Sequence, residues 1–300
     1  MSVLDTTPVT GAASPTPAKP RRRRVVKGSR PGWFVYTSLA VFLGASLFPF
    51  YWTLLIGSGD ATTIRDPEMS WIPGGNFIDN ALAVMSDPAV NFWTALWNSI
   101  WSSSVIALSV VFFSTLAGWA FAKLKFRGGP WLLVFVVATM AVPTQLGVVP
   151  LYILFSDLGW TGEVGAIIVP ALTSAFGVFW MTQYLRQTVP DELIEAARVD
   201  GANSFRTFLA IGLPAARPAA AMLALFTFVS SWNNFFWPFI VLDRQNPTLP
   251  VALSLLQSNY FVDYSIVLAG VLLSTIPLLI LFVFAGKQLV SGIMQGAVKG

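Results

Sequence analysis

The sequence predicts an all-α integral membrane protein with six transmembrane helices, and two observations support this fold class. The chain of 300 residues is 55% hydrophobic and only 11% charged, which is under half the charged fraction of about 25% that is typical of soluble domains. Its uncharged stretches are longer than the roughly 20 residues that a helix needs to cross a bilayer. These stretches are 31–59, 88–122, 128–156, 164–185, 218–242 and 264–286.

The distribution of basic residues predicts the orientation of these spans. An even number of spans places both termini on one side. With the N terminus inside, 16 of the 18 Lys and Arg residues are cytoplasmic, and only Arg65 and Arg244 lie outside, whereas 9 of the 14 acidic residues lie outside. Membrane proteins concentrate basic residues on the cytoplasmic side. Both termini are therefore predicted to be cytoplasmic, and the net charge of +4 does not indicate nucleic-acid binding.

The segments outside the spans complete the predicted domain organisation. Residues 1–30 are rich in Pro, Thr, Ala and Arg and are predicted to form a disordered, basic cytoplasmic tail. The run Arg21–Arg24 is interpreted as a signal that fixes topology, with a nucleic-acid patch or a twin-arginine export signal as alternatives. Residues 31–286 form the transmembrane domain, and residues 287–300 form a cytoplasmic C-terminal tail.

Composition also excludes several kinds of chemistry. The absence of Cys and His removes disulfides, thiolate chemistry, His-based acid–base catalysis and most transition-metal sites. None of the six stretches carries a charge, whereas ion-coupled transporters usually keep ionisable groups in the membrane. The chain also lacks a G-x-x-x-x-G-K-[ST] phosphate-binding loop. We expect no catalytic residues, no metal and no cofactor in this chain, and an external source of energy.

Residues 188–217 form a polar, helix-capable segment between two long apolar stretches. Thr188, Pro190 and Asp191 fit an N-cap, a first-turn proline and an acidic capping-box partner. Gly201 is expected to end the first helix in the left-handed conformation. The segment is therefore predicted to form a short surface helix followed by a second one.

Prolines are predicted to end or bend several helices. A second surface helix is expected over 205–211, where apolar residues recur at spacings of three and four. Pro214 is expected to end this helix, and Pro218 to begin the next span. Kinks are predicted within spans three, four and six, at Pro143, Pro150, Pro170 and Pro277.

The segment 188–217 resembles the cytoplasmic coupling loop of bacterial ABC-importer permeases. In that family the loop docks into a cleft of the ATP-binding subunit. A helical hairpin that only links two spans is the alternative. The resemblance continues through Phe205, Phe208, Ile211, Leu213, Pro214 and Pro218. It implies ATPase contacts for Glu195, Ala196, Ala197, Asp200, Gly201 and Ala202.

After the N-terminal tail, the whole chain resembles the carbohydrate branch of this family, the second permease subunit of maltose-type (MalG-like) importers. The stretch Trp232–Pro238 is similar to the W-N-x-F-x-x-P sequence in span five of sugar permeases. The resemblance implies the six-helix type I ABC importer permease fold in the bacterial plasma membrane. It also implies that the chain forms half of a pathway for sugar uptake.

The C-terminal end, Gln295–Gly300, is similar to the glycine-rich tail of the same subunit, with Ala297 where the family usually has a second glycine. In maltose-type systems such a tail reaches between the ATPase subunits. The resemblance therefore implies ATPase contacts for Gly296, Lys299 and Gly300, and a frayed end is the alternative.

Four residues are candidates for the substrate pathway: Gln145 in span three, and Trp232, Asn233 and Asn234 in span five. The last three lie roughly 21–24 Å into their span at 1.5 Å per residue. Amides in hydrocarbon are costly unless they are paired or face a cavity, and amides with aromatic faces suit sugars. Contacts between helices or anchoring at the interface would explain them equally well.

The implied partners follow from the same resemblance. They are a paralogous permease in a heterodimer, an ABC ATPase dimer that holds ATP and Mg²⁺, and an external sugar-binding protein, with no nucleic acid. Loops 57–90 and 243–263 are candidates for contact with the binding protein. Lys123, Lys125 and Arg127 are candidates for contact with anionic membrane lipid, although topology marking also explains them. An importer for a peptide, polyamine or phosphonate is the alternative function.

Overall fold

A computed structural model of the chain describes residues 32–65, 70–257 and 262–297. All regular structure within these ranges is helical, without strands. The α-helices are α1 (Trp33–Gly57), α2 (Phe77–Ser86), α3 (Phe92–Lys123), α4 (Gly129–Thr139), α5 (Val148–Asp157), α6 (Gly165–Ile168), α7 (Ala175–Thr188), α8 (Asp191–Val199), α9 (Ser204–Thr207), α10 (Leu213–Trp232), α11 (Phe236–Val241), α12 (Leu249–Leu255) and α13 (Tyr264–Ala297).

The chain divides into two compact units, residues 1–47 and 48–300. The boundary falls inside α1. The described part of the first unit is helical from Trp33 and exposes large apolar side chains such as Phe34 and Phe42. Such a surface suits hydrocarbon rather than water.

Within the described residues, five helical segments are long and apolar enough to cross a membrane. A sixth candidate is a helix pair, Gly129–Thr139 with Thr144–Asp157, which passes the same test only when the two parts are taken together and which bends by 85°. The prediction of an all-helical membrane chain is therefore confirmed, with five continuous candidate spans and one broken one. The continuous spans are Trp33–Gly57, Phe92–Lys123, Gly165–Thr188, Ser204–Trp232 and Tyr264–Gly286.

The break in the third span lies beside Pro143. This proline has extended backbone geometry (ψ 125°) and precedes a 3₁₀ turn, Thr144–Gly147, that leads into α5. Proline lacks a backbone N–H and disfavours helical geometry in the residue before it, so an interruption here is expected. Pro170 similarly lies in a 3₁₀ turn between α6 and α7.

The fifth span differs from the prediction of 218–242. Helical structure runs from Ser204 to Trp232 through a π-helical turn, Phe208–Gly212. Pro214 lies in the first turn of α10, and Pro218 lies inside that helix. The expectation that Pro214 ends one helix and Pro218 begins another is therefore wrong. A first-turn proline is compatible with a helix, and the π turn relaxes the ordinary hydrogen-bond pattern just before it.

The core of the second unit is built around α3, which packs mainly against α7 and α10. It approaches α7 closely at Gly118, where an added Cβ would lie 2.6 Å from the Cβ atom of Met181 and 2.9 Å from the backbone carbonyl carbon of that residue. Small residues allow such close helix contacts in membranes. Trp119 and Leu223 belong to the same buried cluster. A second cluster joins α2, α12 and α13.

Candidate functional site

Helix α8 begins almost directly after α7. Val189 is extended, and Pro190 occupies the N-cap position of α8 without a side-chain cap. Thr188 is still part of α7, so its predicted role as an N-cap is wrong. The reason is that α7 continues through Thr188, which leaves two residues for the turn. Asp191 and Glu192 lie in the first turn of α8, where the helix dipole stabilises negative charge.

The end of α8 has the predicted geometry. Gly201 has a φ of 78°, its N–H donates to the carbonyl oxygen of Arg198 at 3.0 Å, and the N–H of Ala202 donates to that of Ala197 at 2.9 Å. These two bonds form a Schellman motif. Asn203 then caps α9, because its side-chain oxygen accepts a hydrogen bond from the N–H of Arg206 at 2.8 Å. Two local capping motifs therefore fix the turn between α8 and α9.

Five of the six predicted ATPase contacts lie on α8 or at its C-cap and C′ positions, and the sixth, Ala202, follows directly. Glu195, Ala196, Asp200 and Gly201 are exposed. Ile194, in contrast, is buried in the cluster that contains Trp119 and Leu223. Sequence analysis did not single out Val199, which is 88% exposed at the end of α8.

A polar contact ties α8 to the end of α3. The Nζ atom of Lys123 lies 2.7 Å from Oδ1 of Asp191, and the Lys123 side chain is only 4% exposed. The hydrogen bond from Lys123, its charge and that of Lys125 lower the pKa of the Asp191 carboxyl below its usual value. Arg186 in α7 also donates to the carbonyl oxygen of Phe121 at 3.2 Å. These contacts join α8 and α7 to the end of α3.

A cavity of about 560 Å³ lies between α8, the ends of α3 and α7, and the turn before α4. We call it the basic cavity, since its lining contains five cationic side chains and two carboxylates. The cations are Lys123, Lys125, Arg127, Arg186 and Arg198, and the carboxylates are Asp191 and Glu195.

A larger cavity of about 890 Å³ is lined by α3, α10, α11, the broken third span and the fourth span, Gly165–Thr188. We call it the neutral cavity, because no Asp, Glu, Lys or Arg lines it. Its aromatic lining consists of Phe176, Phe226, Phe236 and Trp237. Its polar lining consists of nine uncharged side chains: Thr144, Gln145, Thr173, Ser174, Thr227, Ser230, Ser231, Asn234 and Thr248.

The structure separates the four candidate substrate residues. Gln145 and Asn234 both line the neutral cavity, although they are far apart in sequence. Trp232 does not line it, since it is 3% exposed and stacks on Phe228 with ring centroids 5.8 Å apart. Asn233 does not line it either, and its Nδ2 atom donates to the carbonyl oxygen of Val229 at 2.9 Å.

Sequence analysis missed the hydroxyl groups on α10 that face the neutral cavity. Thr227, Ser230 and Ser231 fall at positions i, i+3 and i+4 of α10, which places them on one helical face. This spacing is a signal that the sequence does contain. Thr248 also lines the cavity; its hydroxyl is buried, and within the described residues it makes no hydrogen bond.

The predicted tail contact lies largely outside the described residues. Lys299 and Gly300 are beyond them, and Gly296 is in α13, which is described to Ala297. The basic segment 1–30 is likewise outside the described ranges. The tail's contact with an ATPase stays a prediction.

Comparison with known proteins gives one family. Residues 111–290 match the binding-protein-dependent transport system inner membrane component. The chain is 32% identical over 271 residues to the arabinooligosaccharides transport system permease protein AraQ of Halalkalibacterium halodurans, covering 89% of this chain and 96% of that protein. It is 32% identical over 259 residues to the trehalose/maltose transport system permease protein MalG of Thermococcus litoralis, covering 85% and 92%.

A solved structure has the same fold. A chain of a bacterial ABC transporter involved in the import of the acidic polysaccharide alginate superposes with a TM-score of 0.70, covering 85% of this chain and 94% of that chain. The two sequences are 22% identical, so this likeness concerns the fold alone.

Proposed function

Because this chain belongs to the family of binding-protein-dependent transport system inner membrane components, we propose that it is the permease subunit of an ABC importer for a neutral carbohydrate. It is a multi-pass membrane protein with several apolar helices. It forms half of the pathway, beside a paralogous permease in a heterodimer. An external binding protein delivers the sugar, and ATP and Mg²⁺ bind to a separate ATPase dimer.

The lining of the neutral cavity is the observation that carries the substrate class. Hydroxyl and amide side chains can donate hydrogen bonds to sugar hydroxyls and accept them, and aromatic faces can cover the C–H faces of the ring. The unpartnered hydroxyl of Thr248 supplies one such group. A polyamine or a phosphonate would lose its hydration here without meeting an opposite charge, which is costly. The cavity therefore favours a neutral, hydroxyl-rich solute.

Helix α8 provides the coupling to the ATPase. Its exposed residues from Glu195 to Gly201 present a small, polar surface with Val199 at its end. Closure of the ATPase dimer displaces α8, and the contact between Asp191 and Lys123 carries this displacement to α3. Since α3 also lines the neutral cavity through Ile106 and Val110, its movement changes access to that cavity. This is rigid-body coupling of two sites.

This mechanism requires the α8 end of the molecule to face the cytoplasm, as the positive-inside rule predicts. The cations of the basic cavity mark the same end. Both termini are then cytoplasmic. The segments before α2 and before α12 lie on the external side, where they can meet the binding protein.

The first test is ATP hydrolysis by the reconstituted complex of this chain, its companion permease, the ATPase and the binding protein. We expect stimulation by one class of neutral mono- or oligosaccharide, and none by a polyamine, a phosphonate or a peptide. Stimulation by a charged solute alone would keep the importer but overturn the carbohydrate assignment. A complex that forms yet responds to no external solute would overturn both.

A further inference from the structure

The basic cavity contains more positive charges than its carboxylates can pair with. Five cations and two carboxylates line it. Across the described ranges the one ion pair is Lys123–Asp191, so Lys125, Arg127 and Arg198 have no described carboxylate within 4 Å. Several unpaired cations around one cavity attract an anion.

The cavity combines four exposed cations with one buried cation and a buried apolar wall. Lys123 reaches into it with a side chain that is 4% exposed, and Ile194 of α8 is buried in its wall. Apolar side chains complete the lining, among them Phe121 and Leu124. Because the walls are partly apolar, charge-assisted hydrogen bonds to a bound anion are less screened than on an open surface.

The basic cavity adjoins an apolar helix surface. α4 begins in the cavity wall at Gly129 and Pro130. The next residue, Trp131, is 80% exposed, and Val134 and Phe135 are also exposed one turn further along. An anion held in the cavity would therefore have an apolar surface directly beside it. A ligand with an anionic head and apolar chains fits both features.

We propose that the basic cavity binds the phosphate group of an anionic phospholipid from the cytoplasmic leaflet, with its acyl chains along α4. Lys and Arg side chains are the usual partners of phosphate oxygens, and basic pockets on the cytoplasmic side of membrane helices bind anionic headgroups. One wall of the cavity is α8, so the lipid contacts the helix to which coupling is assigned. The binding site itself does not depend on that assignment.

The test measures lipid binding directly, in the assembled transporter. Native mass spectrometry gives the affinity for phosphatidylglycerol and, separately, for phosphatidylcholine. We compare the wild type with the double variant Lys125→Gln/Arg127→Gln. Lys123 is left intact because its side chain is buried. The matched control is Arg206→Gln/Arg217→Gln, which removes two exposed cations on the same predicted side that do not line the cavity.

We expect the wild type to prefer phosphatidylglycerol and the cavity variant to bind it about 20–30-fold more weakly, since each cation near an anionic lipid contributes about fivefold. The control should change less than about threefold. Equal losses in both variants, or no preference over phosphatidylcholine, would overturn the site.

A third arm separates the two sources of phosphate. Inorganic phosphate at millimolar concentration should leave phosphatidylglycerol bound. If it displaces the lipid with comparable affinity in the wild type but not in the cavity variant, the site takes a soluble phosphate and the lipid assignment is wrong.

Discussion

The two cavities of this molecule share one helix as a wall but differ completely in charge. Near its C-terminal end, α3 contributes Phe121 and Lys123 to a cavity with five cations. About three turns earlier it contributes Ile106 and Val110 to a larger cavity with none. The difference follows from depth. A charged side chain costs little free energy near the headgroups and much more in hydrocarbon, so the proposed anion site lies at the end of the helix and the proposed site for a neutral solute lies within it.

The largest effect is expected from disrupting the packing of α3, the helix that lines both cavities. Gly118 lies between the two cavities on α3 and contacts the backbone of α7. Gly118→Leu would push α3 and α7 apart, because backbone atoms of α7 lie next to the added side chain and cannot rotate away from it. We expect a loss of about 3 kcal/mol or more in folding stability, seen as a large drop in the melting temperature of the purified transporter.

Gly286→Leu is the matched control for this substitution. Gly286 is also helical, in α13, but an added Cβ there meets no described atom within 4 Å. This variant should melt near the wild-type temperature. If both variants melt alike, the close approach of α3 and α7 does not stabilise the fold, and the two cavities are not held by one packed helix.

The second test makes the neutral cavity resemble the basic one. Ser230→Lys adds an ammonium group to the α10 face of the neutral cavity. An unpaired charge costs roughly 3 kcal/mol at the centre of a membrane helix, and it disrupts the hydroxyl surface. We expect sugar uptake to fall about 100-fold while basal ATP hydrolysis persists. Ser230→Ala should stay within about threefold, and uptake by Ser230→Lys at a normal rate would remove this cavity from the pathway.

The α8 segment and the neutral cavity also differ in how much of their structure the sequence predicts. The end of α8 was predictable because a glycine that ends a helix in the left-handed conformation is a local signal, and Gly201 has the expected positive φ. The start of α8 was not, because α7 runs on through Thr188. The prediction that Pro214 ends a helix was also wrong, because the π turn before it lets the helix continue. Helix boundaries depend on such neighbouring geometry more than on the residue at the boundary.

The neutral cavity was predictable only in part. Gln145 and Asn234 were singled out because amides are rare in hydrocarbon, and both line it. Trp232 was singled out for its chemistry, but it packs in the core beside Phe228. Composition cannot tell a cavity-facing aromatic from a core one when all faces of a helix are apolar. That choice is made by the packing of α10 against α3 and α13.

A third test concerns the turn at the C-terminal end of α8. Gly201→Val places a β-branched residue at a φ of 78°, a conformation that such residues adopt only with strain. Apart from its chain neighbours, no described atom lies within 4 Å of an added Cβ, so the effect is on the backbone rather than on packing. We expect the Schellman turn to open and sugar-stimulated ATP hydrolysis to drop about tenfold, with membrane insertion unchanged.

Gly201→Asn provides the control, because Asn adopts the left-handed conformation more readily than other non-glycine residues. It should retain most of the coupling. If Val and Asn at this position behave alike, then the side chain at 201, and not the turn, limits docking. If the Val variant couples normally, the docking role of this turn is lost.

The smallest effect is expected from removing a carboxylate of the basic cavity. Asp191 has a lowered pKa because Lys123 donates a hydrogen bond to it and adds its positive charge. A depressed pKa in the folded state means that the stabilisation is present above the unfolded pKa of about 3.9 and is lost as the pH falls through the folded value. Asp191→Asn should therefore lower the melting temperature slightly, by at most about 2 °C, near neutral pH. As the pH falls below the folded-state pKa of Asp191, the difference from the wild type should disappear. A difference that grows on acidification would mean that Asp191 destabilises the fold when charged, and that the cations around it do not act on it as the geometry indicates.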